Sequence, residues 1–146
     1  MISGPVPMRR HSLFPVFAAV FGASIAAHAA EPSFVGIWYS AGQPDEPGVM
    51  SLIEFKADGT YREEFRKCEN GEVVGFQTQS GTWSVENGVE KTLTDMINGE
   101  ASRVEDSYRI EMLTETQRRI RMESQNLVFN SIRVDEFRFP DCATGA

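Results

Sequence analysis

The only imidazoles in this chain of 146 residues are His11 and His28. Everything after position 28 must do its chemistry without histidine. That excludes Ser-His-Asp and Cys-His nucleophiles, and His-ligated zinc or haem. Carboxylates, Tyr, Lys and Cys remain. Glu63 shares strand parity with Tyr61 and Phe65, so an extended segment turns it to their side. A desolvated Glu there would serve as an acid or base. The alternative is a carboxylate paired with an Arg. Asp135, Glu136 and Asp141 lack the spacing of a calcium loop, and no metal or cofactor is implied. On a strand, Arg119 and Arg121 share a face. It either receives an anionic group or is a solvated face balanced by Glu115 and Glu123. With 14 basic and 21 acidic residues the net charge is −7, which argues against nucleic-acid binding.

The elements that position these residues follow a leader. Residues 1–29 read as a secretory signal peptide, with Arg9 and Arg10 at the positive end. An apolar run from Leu13 to Ala27 follows, and Ala27-His28-Ala29 supplies the small residues for cleavage. The run is shorter than the ~20 residues a spanning helix needs. An uncleaved anchor is the other reading. The expectation is an exported, periplasmic or secreted domain over residues 30–146, with no membrane span in the mature form. In an oxidising compartment Cys68 and Cys142 are expected to form one disulfide; two buried thiols are the alternative.

Turn signals punctuate the rest. Asp58-Gly59, Asn70-Gly71, Asn87-Gly88 and Asn98-Gly99 suit tight hairpins. Between and around them lie β-rich runs over 34–40, 50–56, 60–68, 72–79, 81–86, 89–94, 107–113, 117–123 and 127–139. Ile53 and Phe55 alternate with Glu54 and Lys56. Tyr61 and Phe65 alternate with Arg62, Glu64 and Arg66. Period two with charges on one side means one packed face and one wet face. Arg62, Glu64, Arg66, Arg109 and Glu111 then belong to a solvated outer face. Residues 108–123 are open to two readings. Arg118, Ile120 and Met122 continue an alternation, which favours strand–turn–strand, whereas Ile110, Leu113 and Ile120 also fit helical spacing.

Five segments occur in a telling order: Val35-Gly36-Ile37-Trp38, Phe55 to Tyr61, Gly81-Thr82-Trp83-Ser84-Val85, Ile110 to Thr114, and Arg133-Val134. Gly-x-Trp on the first strand is the opening motif of the lipocalins, and the order resembles the small bacterial lipocalin-like proteins. The resemblance implies an all-β, up-and-down antiparallel barrel of about eight strands. It implies that Gly36 and Trp38 lie at the barrel floor, with an Arg of the last strand stacked on the indole. That Arg is Arg133, with Arg138 as the fallback. It also places the loop Gln43 to Gly48 where a lipocalin has its lid; a plain surface loop is the alternative. The chain departs from the larger lipocalins in showing no long amphipathic helix after the last strand.

If such a barrel is hollow, its wall uses the apolar alternating set: Ile53, Phe55, Tyr61, Phe65, Phe76, Met112, Met122 and Phe129. An aromatic- and Met-lined cavity suits a small, mostly apolar ligand. If the same side chains fill the interior, the function lies on the outer face. The leading expectation is a non-enzymatic ligand carrier. The alternative is an envelope protein–protein interaction module, such as a protease inhibitor with a packed barrel. A third reading, an enzyme, rests only on Glu63 and Tyr61.

Overall fold

A computed structural model describes residues 33–142; the expected leader lies outside the described residues. Eight strands occur in order: β1 Gly36–Ser40, β2 Val49–Phe55, β3 Thr60–Glu69, β4 Glu72–Glu86, β5 Val89–Ile97, β6 Glu100–Leu113, β7 Gln117–Met122 and β8 Leu127–Val134. Each pairs antiparallel with the next, and β1 pairs with both β2 and β8. The sheet is therefore a closed up-and-down barrel, as the resemblance implied. No helix occurs among the described residues, and so none long and apolar enough to cross a membrane.

The turn chemistry explains the register. Asn70, Asn87 and Asn98 each sit at φ 51°, followed by Gly71, Gly88 and Gly99, also at positive φ. Two successive positive-φ residues give a two-residue turn whose twist matches the flanking strands. Asp58 behaves differently: only Gly59 has positive φ there, and Asp58 Oδ1 accepts hydrogen bonds from the Thr60 amide and hydroxyl.

The largest differences from the sequence reading fall at three element boundaries. The runs 72–79 and 81–86 are one long strand, β4, with a register shift at Ser80/Gly81. Gly81 is required there because a Cβ would collide with the Leu93 carbonyl. β6 begins at Glu100, well before the expected 107, because the Asn98-Gly99 turn folds it straight back on β5. The last run ends at Val134, and the chain beyond it leaves the sheet. In the ambiguous stretch the chain is strand–turn–strand. The Thr114 hydroxyl accepts from the Gln117 amide at 2.9 Å and reverses the chain between β6 and β7.

Residues paired across antiparallel strands share a face. Trp38 pairs with Ile53, Ile53 with Glu63, and Glu63 with Gln79, all inside the barrel. The end carrying the β2–β3 and β4–β5 turns is packed solid. Phe34, Trp38, Phe55 and Tyr61 are buried there, with Trp83 against them. The rings meet at 5.1–6.3 Å, mostly edge-on or tilted. The Trp38 indole N–H donates to the Phe34 carbonyl at 2.9 Å, so this floor buries no unpaired indole.

A second apolar cluster lies outside the barrel wall. Met50 and Leu52 point outward from β2 and are covered by Phe137 and Phe139 of the C-terminal segment. The guanidinium of Arg62 sits 4.0 Å over the Phe137 ring, and that of Arg66 sits 4.4 Å over Phe139. These two arginines lie on the outer face as expected, and there they sit against the strap, Arg62 remaining half-exposed. The Cys68–Cys142 disulfide ties its end to β3.

Two stability predictions follow. Reducing the disulfide, or replacing Cys142 with Ser, removes a cross-link between residues 74 apart. In the chain-entropy model that costs about 4 kcal/mol, and denaturant unfolding of the two forms should show it as an unchanged fold with a lower midpoint. Trp38→Ala empties the centre of the floor and should cost ~3–5 kcal/mol. A melting temperature equal to that of the native chain would contradict its place there.

Candidate functional site

The floor is locked by one side chain. Arg133 of β8 stacks 4.3 Å over the Trp38 ring. Its Nε donates to the Glu115 carbonyl and Nη1 to the Val35 carbonyl, both at 2.7 Å. Its Nη2 donates to the Ser33 carbonyl. Gly36, at φ +136°, gives that guanidinium room, because a Cβ there would overlap Nη1. Arg138 takes no part in the floor; it lies in the C-terminal strap against the outer wall.

The opposite end is open. Its mouth is a cavity of about 500 Å³, walled on its apolar side by Val49, Phe65, Met122, Leu127 and Phe129. Asp45, Glu46 and Lys67 stand at its rim, so the β1–β2 loop borders the opening where a lid would sit. Deeper lies a niche of about 80 Å³, and Gln43, Phe65 and Phe129 line both spaces. The mouth is of ligand size, whereas the niche has room for only a few non-hydrogen atoms.

The niche is polar. Arg118 reaches inward from β7 and donates from Nη2 to both carboxylate oxygens of Glu90 on β5, at 3.1 and 3.2 Å. Its Nη1 reaches the Ser131 hydroxyl at 3.3 Å. The side chains of this pair are 7% and 1% exposed, so both charges are desolvated and each depends on the other. Burial pushes the Glu90 carboxyl up, and Arg118 pulls against it. The guanidinium also lies 5.1 Å from the rings of both Phe34 and Phe55, which joins the niche to the packed floor.

Glu63 faces this niche from β3. Gln79 Nε2 donates to its Oε2 at 2.7 Å. Burial raises its carboxyl to about 7, against the smaller opposing effects of Gln79 and Arg118. Tyr61 lies nearer the floor, hydrogen-bonded to Thr94 at 2.5 Å, and burial pushes its phenol up to about 12. Burial also raises Tyr108, on the niche wall. Glu63 and Tyr61 thus face one interior, but Tyr61 is committed to Thr94.

The eight residues expected to line a cavity separate into three groups. Ile53 borders the niche, and Phe65, Met122 and Phe129 border the mouth. Phe55 and Tyr61 are inside but belong to the packed floor. Phe76 and Met112 are corrections. Phe76 pairs with Arg66 on the outer face and is 56% exposed at the rim of the mouth. Met112 pairs with Arg119 on the outer face, because a register shift after Ile110 reverses the parity of β6. That shift was invisible to alternation counting.

Nothing in the sequence analysis singles out Glu90, Gln79 or Ser131, because no alternation with apolar neighbours marks them as inward. A signal did exist for Arg118, which shares parity with Ile120 and Met122. The outer cluster is locally satisfied: Arg121 pairs with Glu111 and Asn126, Arg119 with Asn130, and Arg109 with Glu123.

The raised carboxyl makes a signed prediction. A Glu whose folded pKa exceeds its unfolded value destabilises the fold as pH rises from about 4.5 to about 7. Above that window the cost is constant; below it both forms are neutral. Glu63→Gln should therefore match the native chain in stability near pH 4 and exceed it by a few kcal/mol at pH 8. Urea denaturation at both pH values checks this, and equal stability at pH 8 would contradict a desolvated Glu63.

The family described as "Lipocalin-like domain" matches residues 35–117, from β1 to the first residue of β7. No curated protein matches the chain. The remaining strands, with Arg118 and Arg133, complete the same barrel beyond the matched segment. The chain belongs to the lipocalin-like domain family.

Proposed function

We propose that this protein is an exported carrier that binds a small molecule in the open half of its barrel. The observation that carries the reading is the asymmetry of the interior. One end is filled by stacked aromatics, while the other holds a mouth of about 500 Å³ leading to a polar niche. A ligand with an apolar body fits against Phe65, Met122, Leu127 and Phe129, and its polar end points to Glu63. "Mostly apolar" is thereby narrowed to an amphipathic molecule. The leader-like residues 1–29 and the Cys68–Cys142 disulfide support export to an oxidising space. Binding is favoured over catalysis because Glu63 contacts Gln79 rather than a nucleophile.

A second reading, as a protein-binding module, draws on Val73, Val74 and Phe76. They are exposed on the part of β4 that precedes its first pairing with β5 at Gln79. In that case ligand-mimicking probes should not enter the barrel.

Native mass spectrometry of protein from its own source should show an adduct of a few hundred daltons. A neutral fluorescent probe, N-phenyl-1-naphthylamine, should bind emptied protein and lose at least tenfold in affinity in Leu127→Asp. Absence of both adduct and probe binding would overturn the carrier reading. Probe binding indifferent to Leu127→Asp would also overturn it, by moving the site off the mouth.

A further inference from the structure

The niche at the end of the mouth has a definite charge and hydrogen-bonding character, and this selects among ligand heads. Its only cation among the described residues, Arg118, is held through Nη2 by both oxygens of Glu90, and its Nε has no partner. Glu63 is different. Gln79 occupies its Oε2, and among the described residues no donor reaches Oε1. A carboxylate oxygen on the niche wall is thus left to whatever enters. Every charged or titratable group facing Glu63 can be named. Glu90 comes from β5, Asp106 and Tyr108 from β6, Arg118 from β7, and Tyr61 from its own strand. Strands β1, β2 and β8 contribute the uncharged Ser40, Ser51, Ile53 and Ser131. Counting charge, three carboxyls face one guanidinium. Asp45 and Glu46 at the rim add two more acids against Lys67. An anionic head would be repelled at the rim and would find both Nη atoms of Arg118 engaged, with only its Nε and the Gln43 amide nitrogen left to donate. A head that donates hydrogen bonds and carries positive charge meets a free acceptor and a negative field.

We propose that the niche receives a primary ammonium group, so that the ligand class is an apolar amine with its hydrocarbon body in the mouth. This rests on the carrier reading and sharpens it. The size of the niche agrees, since about 80 Å³ admits an ammonium and its first carbon while the body stays between Phe65 and Phe129. The free carboxyl titrates near neutral pH because burial penalises its charge. An ammonium compensates that penalty, so the ligand binds the ionised form. Affinity for an amine must therefore rise with pH through this range, while the amine itself stays protonated.

Isothermal titration with n-octylamine, 1-octanol and octanoate separates the possibilities. At pH 8 octylamine should bind at least tenfold more tightly than octanol, and octanoate most weakly. Between pH 6 and pH 8 the octylamine affinity should rise up to about tenfold, the ceiling set by ionising one carboxyl of pKa about 7. In Glu63→Gln both the preference and the pH dependence should vanish. N-phenyl-1-naphthylamine binding reports that this variant still has an intact mouth. Octanol equal to octylamine would overturn the ammonium assignment and leave the carrier reading standing. Octanoate binding best would overturn it in favour of Arg118 as the head-group partner. Failure of all three ligands while the neutral probe binds rejects the amine class alone. Failure of the probe as well rejects the carrier.

Discussion

The barrel depends on closing a sheet whose first strand is only five residues long. β1 meets β8 through three residue pairs, and Arg133 reinforces that seam from inside. Its guanidinium ties the carbonyls of Ser33, Val35 and Glu115 together while its face rests on Trp38. The chain entering β1, the β6–β7 turn and the last strand are thereby held at one point. Lys could not replace it: an ammonium has no planar fork to satisfy three carbonyls and no flat face for the indole. The C-terminal strap applies the same logic to the outside. A terminal helix would cover Met50 and Leu52 by length; here Phe137, Phe139 and a disulfide cover them with about eight residues of irregular chain.

Closing the floor this way decides what the rest of the interior can be. Phe34, Trp38, Phe55, Tyr61 and Trp83 are concentrated at one end, so the large aromatics are spent where they seal the barrel. Above them Glu63, Gln79, Glu90, Thr92, Arg118 and Ser131 share the interior with Phe65, Tyr108 and Phe129. Buried charges at this depth survive only when paired. Glu90 and Arg118 meet that condition with two direct contacts, and the Phe34 and Phe55 rings support the guanidinium from the floor side. The polar layer therefore rests on the aromatic plug, and a change that loosens the plug also loosens the layer.

Much of the architecture was legible in the chain because its signals are local. Asn70-Gly71, Asn87-Gly88 and Asn98-Gly99 name their turns, and the alternation in β2 and β3 names the packed face. Gly36, Trp38 and Arg133 became readable as a set only through their order along the family pattern. The site was legible in part. Glu63 could be placed inward by parity with Tyr61 and Phe65. Met112 could not be placed, because one extra residue after Ile110 inverts the face of everything beyond it. Arg118 and Glu90 were obscured for another reason: they are neighbours only after β5 and β7 are brought to face each other across the barrel. Pairing of that kind is a property of closure, and no window of sequence contains it.

What distinguishes Glu63 from its surroundings is that its environment works against it. Gln79 supplies one hydrogen bond, Arg118 is engaged elsewhere, and burial holds the carboxyl near 7. A barrel that needed only to be full would place an amide or a hydrocarbon at this position and gain stability by doing so. Several buried polar groups are answered from within, Trp38 by Phe34, Tyr61 by Thr94 and Glu90 by Arg118, whereas the niche also holds the Nε of Arg118 and the Nε2 of Gln43, unpartnered among the described residues. Glu63 is half answered, and it lines the niche that shares Phe65 and Phe129 with the mouth. An unfavourable group at the end of an accessible channel is stabilised by a ligand that completes it, and the binding then draws on a cost already present in the empty fold.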